Sequence, residues 1–200
     1  MIYIFDELDK LDEEFLQNCD KQLSSQRRDK IKKHKTVKSK IQSAVVYLLL
    51  RQALSSEFGI DEAVEFVYNK NGKPQLKDYP HIHFCLSHCK TAAACVLSDN
   101  EVGVDVQHIT PVSQSLAKRV LTEDEFLEFQ TSQAPDEYFC RVWTIKESFL
   151  KLSGKGIAGI LSGIDSKDIT DITLFRGKDY FCCSTGKDIE TYIHCSEAQG

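Results

Sequence analysis

The chain opens on an apolar burst, Met1–Phe5, that reads as a strand and is followed at once by the acids Asp6 and Glu7. A basic stretch, Lys21–Lys33, predicts a helix. A longer one is predicted over Ser39–Phe58, where Ile41, Val45, Leu48 and Leu49 recur at helical spacing and Gly59 supplies a C-terminal stop. Short apolar runs near Val64–Tyr68, His83–Leu86 and Ala93–Leu97 read as strands, with the turn Asn71-Gly72-Lys73-Pro74 between the first two. Ser98–Glu101 then turns the chain into a strand at Val102–His108. Three helices are predicted after it, near Ser113–Val120, Glu123–Gln130 and Pro135–Leu152. Four short strand candidates follow, around Ile164, Ile172, Phe181 and Ile189. Both halves therefore run strand, helices, strands. The two halves, residues 1–100 and 101–200, show no residue-level repeat and no low-complexity linker between them.

The same patterns place several polar residues. In Val102–Gln107 the valines alternate with other residues, so Asp105 and Gln107 share one face of the strand; on pattern alone this is a half-exposed strand with a polar outer side. Within Asp136–Leu152 the stripe Val142, Ile145, Phe149 and Leu152 defines a core side and sets Glu147 and Lys151 opposite it. Spaced i, i+4 with the acid first, those two would make an ordinary surface pair worth about 0.3–0.5 kcal/mol. Thr122-Glu123-Asp124-Glu125 fits a capping box, which gives the Glu125 carboxylate a structural task. Ser87 and His88 close an apolar strand where a loop could turn a hydroxyl, an imidazole and backbone N–H groups toward an anion, although a lone histidine is usually structural.

Composition narrows the class. At 200 residues, 42% hydrophobic and 28% charged, the chain can bury a sizeable core and is not expected to be disordered. No apolar run approaches a membrane span and Met1–Phe5 is too short for a signal-peptide core, so a cytoplasmic protein without a membrane partner is expected. Eight cysteines without a Cys-x-x-Cys pair predict free, mostly buried thiols rather than zinc ligands or disulfides. Net charge is −5, yet residues 21–40 carry nine Lys/Arg against the single acid Asp29. Such asymmetry favours a compact anionic partner over broad nucleic-acid binding, unless the segment is simply a solvated helix face.

Order and spacing then converge. Gly72-Lys73-Pro74, Phe84-Cys-Leu-Ser87-His88, Val102-Gly-Val-Asp105-Val-Gln107 and Trp143-Thr-Ile-Lys146-Glu147-Ser-Phe-Leu-Lys151 followed by Gly154-Lys155-Gly156 resemble the motif series of the 4′-phosphopantetheinyl transferases of the surfactin-synthetase-activating class. The resemblance implies a pseudo-twofold α+β fold whose two similar halves form a coenzyme A site between them within one monomer. It also implies an enzyme that moves the phosphopantetheine arm of coenzyme A onto a serine of an apo acyl, peptidyl or polyketide carrier protein, a transient partner. Carried over residue by residue, Asp105 and Glu147 would hold Mg²⁺, or Mn²⁺ as a substitute, and Lys151 a phosphate of the pyrophosphate. Lys73, Pro74, Ser87 and His88 would lie at the nucleotide end, with Lys40 near the place of a family arginine and Lys30 less securely aligned. Gln107 stands where the family pattern has a second strand carboxylate; its neutral oxygen can still serve Mg²⁺ directly or through water. For the serine proton, Glu147, Glu125 and a metal-bound water all remain open. The rival reading is a noncatalytic binding module whose basic segment docks an acidic protein or RNA.

Overall fold

The computed structural model describes residues 1–154, 161–189 and, as backbone, 192–194. The fold is α+β, and its element order follows the predicted pattern with two additions. Strand β1 (Ile2–Phe5) leads into a short helix α1 (Glu13–Cys19), whose N-cap Asp12 accepts from the backbone N–H groups of Glu14 and Phe15. The basic helix α2 covers only Ser25–Lys32, because Ser24 caps it from Arg27 N–H and displaces its start toward the C-terminus. Helix α3 (Val37–Phe58) begins at Thr36, whose side chain accepts from Ser39 N–H, and ends at Gly59, whose φ of 66° is the left-handed stop glycine tolerates.

Strands β2 (Phe66–Tyr68) and β3 (Pro74–Leu76) form a hairpin, followed by β4 (His83–His88) and β5 (Ala93–Ser98). Strand β6 (Gly103–His108) then precedes helices α4 (Gln114–Val120), α5 (Glu123–Thr131) and α6 (Pro135–Ser153). Strands β7 (Ile172–Arg176), β8 (Tyr180–Thr185) and β9 (Tyr192–His194) finish the described chain. The strand expected around Ile164 is instead irregular chain after a 3₁₀ turn at Leu161–Gly163, and Ile189 precedes rather than occupies the last strand.

One sheet has the order β4-β5-β1-β9 and the other β6-β8-β7. Helix α3 covers one face of the first sheet, over a core that includes Tyr3, Phe5, Leu50, Leu54, Phe84 and Cys95. The opposite face, with Ile2, Ile4, Ala94 and Val96, packs against Val102, against Val104 and Val106 of β6, and against Tyr180 and Cys182 of β8. Burial of these apolar faces, at roughly 25 cal/mol per Å² removed from water, is what holds the sheets together. The other face of β6 is covered by α6. A Cβ added to Gly103 would lie 2.0 Å from the Ser148 carbonyl oxygen, so glycine is what allows helix and strand to approach this closely. Strand β9 pairs in parallel with β1 and carries the C-terminal region into the first sheet.

The basic segment is not a uniformly solvated face. Arg27 is 5% exposed, lies 5.0 Å from the ring centres of both Tyr47 and Phe66, and donates to the Ser43 carbonyl and hydroxyl. Arg28 reaches Asp20, and Lys32 reaches Asp29.

Candidate functional site

Asp105, Gln107 and Gly103 share the face of β6 that meets α6, as the alternation requires. The face is not solvent-exposed at Asp105, which is only 2% exposed, because α6 lies over it. Glu147 is likewise 3% exposed, which overturns its expected place on a polar helix surface: α6 packs on β6 and β8 on one side and on α5 on another, and so is buried nearly all round. Lys151 does not close the surface pair predicted with Glu147. Its ammonium instead donates to Asp105 Oδ1 at 2.6 Å and to Ser87 Oγ at 2.9 Å.

Ser87 is the junction of the two sheets. Its hydroxyl donates to Asp105 Oδ1 at 2.9 Å and accepts from Val106 N–H at 3.2 Å, so the free edge of β6 is tied to β4 through a side chain. Cys85 adds a thiol donated to the Val104 carbonyl at 3.7 Å. These bonds deliver three polar groups to one point while leaving two carboxylate oxygens, Asp105 Oδ2 and Glu147 Oε1, buried without a hydrogen-bond partner among the described residues.

The charges respond accordingly. Burial raises the pKa of Glu147, Asp105 adds to the rise, and Lys151 opposes it. Burial works against the Lys151 charge, but Asp105 outweighs it and the ammonium is held more firmly than usual. His88 is shifted toward the neutral form, first by desolvation and then by Lys151, His34 and Lys30, with only Asp105 acting the other way. Three basic groups thus bear on the end of β4.

A cleft of about 290 Å³ opens beside this cluster and is lined by Lys73, Pro74, Phe84, Leu86, Glu147 and Lys151 among others. It brings together residues drawn from the β2–β3 turn, β4 and α6. Gln107 lines a separate cavity with His108, Phe139 and Trp143. Lys40 sits half-buried in the first turns of α3; the residue of that helix that reaches the His88 loop is Gln42, whose side-chain amide donates to the Cys89 carbonyl at 2.7 Å. Lys155 and Gly156 of the last motif lie outside the described residues.

Glu125 is not brought into the cluster by any hydrogen bond. It completes the predicted capping box with Thr122, accepts from Ser166 N–H at 2.8 Å, and pairs with Lys146 at 2.5 Å, all at 0% side-chain exposure. Lys146 donates in addition to the carbonyls of Val120 and Leu161, both at 3.0 Å. The sequence signal for this buried lysine is its helical spacing, four residues after Val142 and four before Leu150, both core positions.

Among the described residues no group of three or more His, Cys, Asp and Glu side chains is arranged around a common point. A divalent cation fits the site nevertheless. The two orphaned oxygens are hard anionic donors, Mg²⁺ keeps several of its waters, and burying a carboxylate oxygen without a partner is otherwise costly.

The chain is similar to known proteins. Residues 101–196 fit the model of the 4′-phosphopantetheinyl transferase superfamily. The chain is 32% identical to the 4′-phosphopantetheinyl transferase psf-1 of Bacillus pumilus over 60% of its own length and 53% of the relative's. It is 30% identical to the transferase Sfp of Bacillus subtilis over 56% and 51% of the two lengths, and 35% identical to HetI of a Nostoc species over 55% and 50%. The match spans about half the length of these relatives. The chain is thus similar to the 4′-phosphopantetheinyl transferases, and the stretch that the superfamily model matches, residues 101–196, includes Asp105, Glu147 and Lys151.

Proposed function

We propose that this protein transfers the 4′-phosphopantetheine group of coenzyme A to a serine of an apo carrier protein and releases adenosine 3′,5′-bisphosphate. The observation that carries the reading is the pair of buried, unsatisfied carboxylate oxygens on Asp105 and Glu147, set beside the Lys151 ammonium at the mouth of a cleft. Asp105 and Glu147 would hold Mg²⁺, with Gln107 contributing a neutral oxygen directly or through water. Such an ion neutralises pyrophosphate charge when bound. Lys151 would offset the charge that grows on the leaving phosphate, and its hydrogen bonds to Asp105 and Ser87 hold it in place for that task. His88 and Pro74, with Lys40 and Lys30 farther out, would border the nucleotide end.

For the carrier serine's proton we favour Glu147 or a water it orients, because its Oε1 is without a partner among the described residues. Both oxygens of Glu125 are occupied by Lys146, Thr122 and Ser166.

The duplicated architecture belongs to the same reading. The orders β4-β5-β1 and β7-β8-β6 are alike: in each, a hairpin is joined on its second strand by the strand that opens that half. Residues 1–100 and 101–200 would then be related halves with the site at their junction. A monomer in the cytoplasm is the expected context. No disulfide links the described cysteines, and among the described residues no helix is long and apolar enough to cross a membrane.

Incubation with apo carriers of fatty-acid, polyketide and peptide synthases, coenzyme A and Mg²⁺, read by intact mass, tests the proposal. At least one carrier should gain a phosphopantetheine group, and a chelator should stop the gain. An unchanged mass on every carrier refutes it.

A further inference from the structure

Lys73 has the position of a nucleotide contact, but its ammonium is already fully engaged. It donates to the Glu101 carboxylate, to the Val102 carbonyl at 3.4 Å and to the Leu152 carbonyl at 3.1 Å. A lysine ammonium has three N–H donors, and three acceptors meet it here. Its side chain is only 15% exposed.

Each acceptor is informative. Leu152 lies in the last turn of α6, where carbonyls have no partner within the helix and a cation is favoured by the helix dipole. Glu101 and Val102 lead directly into β6, four and three residues before Asp105. Glu101 is itself steadied by His83, with Nδ1 3.4 Å from Oε1. The lysine is presented by the β2–β3 turn, where Asn69 Oδ1 accepts from the N–H groups of Asn71 and Lys73 and Gly72 takes a φ of 83°. Its stem runs past Gly154, the left-handed cap of α6: a Cβ there would lie 3.3 Å from Lys73 Cδ. Lysine stem, helix end and strand start are therefore packed as one unit.

We propose that Lys73 is a positioning residue: a strut that pins the last turn of α6 to the start of β6, and so keeps Lys151 and Glu147 in register with Asp105, rather than a ligand of the nucleotide. The role rests on the transferase reading for its consequence but not for its geometry. A helix end released from the strut lets Lys151, one residue before Leu152, drift from the Asp105 carboxylate it must meet.

Two variants decide the matter: Lys73→Met, which keeps a stem but has no donors, and Glu101→Gln, which removes the ion pair and leaves the lysine. For each, three quantities are measured well below its melting temperature: hydrogen exchange of amides 150–154, the dissociation constant of adenosine 3′,5′-bisphosphate, and kcat and KM for coenzyme A. For Lys73→Met the strut predicts about tenfold faster exchange at the end of α6 and a kcat lower by about tenfold, as for loss of one charge-assisted hydrogen bond. Nucleotide affinity should stay within about threefold of wild type, a difference well under that of a lost phosphate contact. Glu101→Gln should shift exchange and kcat in the same direction by less. Two results overturn the proposal. One is nucleotide binding about tenfold weaker in Lys73→Met and tighter in Glu101→Gln, which would make Lys73 a phosphate ligand held back by Glu101. The other is unchanged exchange at 150–154 in Lys73→Met. Exchange is read without any carrier, so a failure of the transferase reading leaves this test intact.

Discussion

Helix α6 carries two buried lysine–carboxylate pairs five residues apart, and they differ in what surrounds them. At Lys146–Glu125 both side chains are fully buried, and every polar atom has a protein partner: Val120, Leu161 and Glu125 for the ammonium, Thr122, Ser166 and Lys146 for the carboxylate. At Lys151–Asp105 the lysine side chain is 30% exposed toward a cleft, and Asp105 Oδ2 and the neighbouring Glu147 Oε1 have no partner among the described residues. The first pair closes a structure and the second leaves room for something to bind. The directions of the carboxyl pKa shifts agree. Burial pushes Glu125 up, but Lys146 and the N–H groups of Thr122 and Ser166 outweigh it and the net shift is downward; for Glu147 burial and Asp105 prevail and the shift is upward. Saturation of buried polar atoms separates architecture from chemistry more sharply than residue type does.

The largest expected effect falls on the saturated pair. Glu125→Ala leaves Lys146 buried without its counter-ion and should cost about 3–5 kcal/mol, a melting point lower by about 10 °C in a thermal scan. Because the folded carboxyl titrates below its ordinary 4.5, the pair stabilises the protein above that pH and loses its contribution as the pH falls through the lowered value. The variant should therefore show a flatter acid limb in a plot of stability against pH. A melting point within 2 °C of wild type would break the comparison by showing that the pair is not structural.

Glu147→Gln tests the other side. It removes an uncompensated buried charge, so in the presence of a chelator the variant should melt no lower than wild type, while turnover with Mg²⁺ should fall roughly a hundredfold or more. Near wild-type turnover in steady-state kinetics would remove Glu147 from the metal site. A smaller effect is expected at the edge of the site. Gln107→Ala should lower the rate by less than about tenfold, since a water can replace a neutral donor, and Gln107→Glu should reduce the Mg²⁺ concentration needed for half-maximal rate. A Gln107→Ala variant as inactive as Glu147→Gln would instead make the glutamine an obligatory ligand.

Much of this was legible in the sequence where one periodic pattern governs. The valine alternation placed Asp105 on its face, the capping box was read from Thr122 and Glu125, and Gly59 marked the end of α3. The pattern failed where a helix has two packed sides. An apolar stripe predicts one buried face, whereas Thr144, Lys146, Glu147 and Ser148 are buried as well, because sheet and α5 enclose α6 together. Short elements such as α1 and β3 fall below the length at which periodicity can be seen, although Asp12 followed by two glutamates marks the start of α1. Lys151 was paired with Glu147 from local spacing because its true partner lies 46 residues away on β6. Long-range pairs of that kind, and the three carbonyl and carboxylate acceptors around Lys73, arise only when the halves are brought together.

The most direct test of the central claim is a Mg²⁺ titration of carrier modification, followed by intact mass, for the wild-type chain and Asp105→Asn at matched melting temperatures. The account predicts that the wild type converts the apo carrier to its phosphopantetheine form with saturable dependence on Mg²⁺. Asp105→Asn, which keeps the shape of the side chain but loses the anion that Lys151 pairs with and that would hold the metal, should remain at least about a hundredfold slower at every metal concentration. Conversion by Asp105→Asn at the wild-type rate, or conversion by the wild type that is indifferent to a chelator, would contradict it.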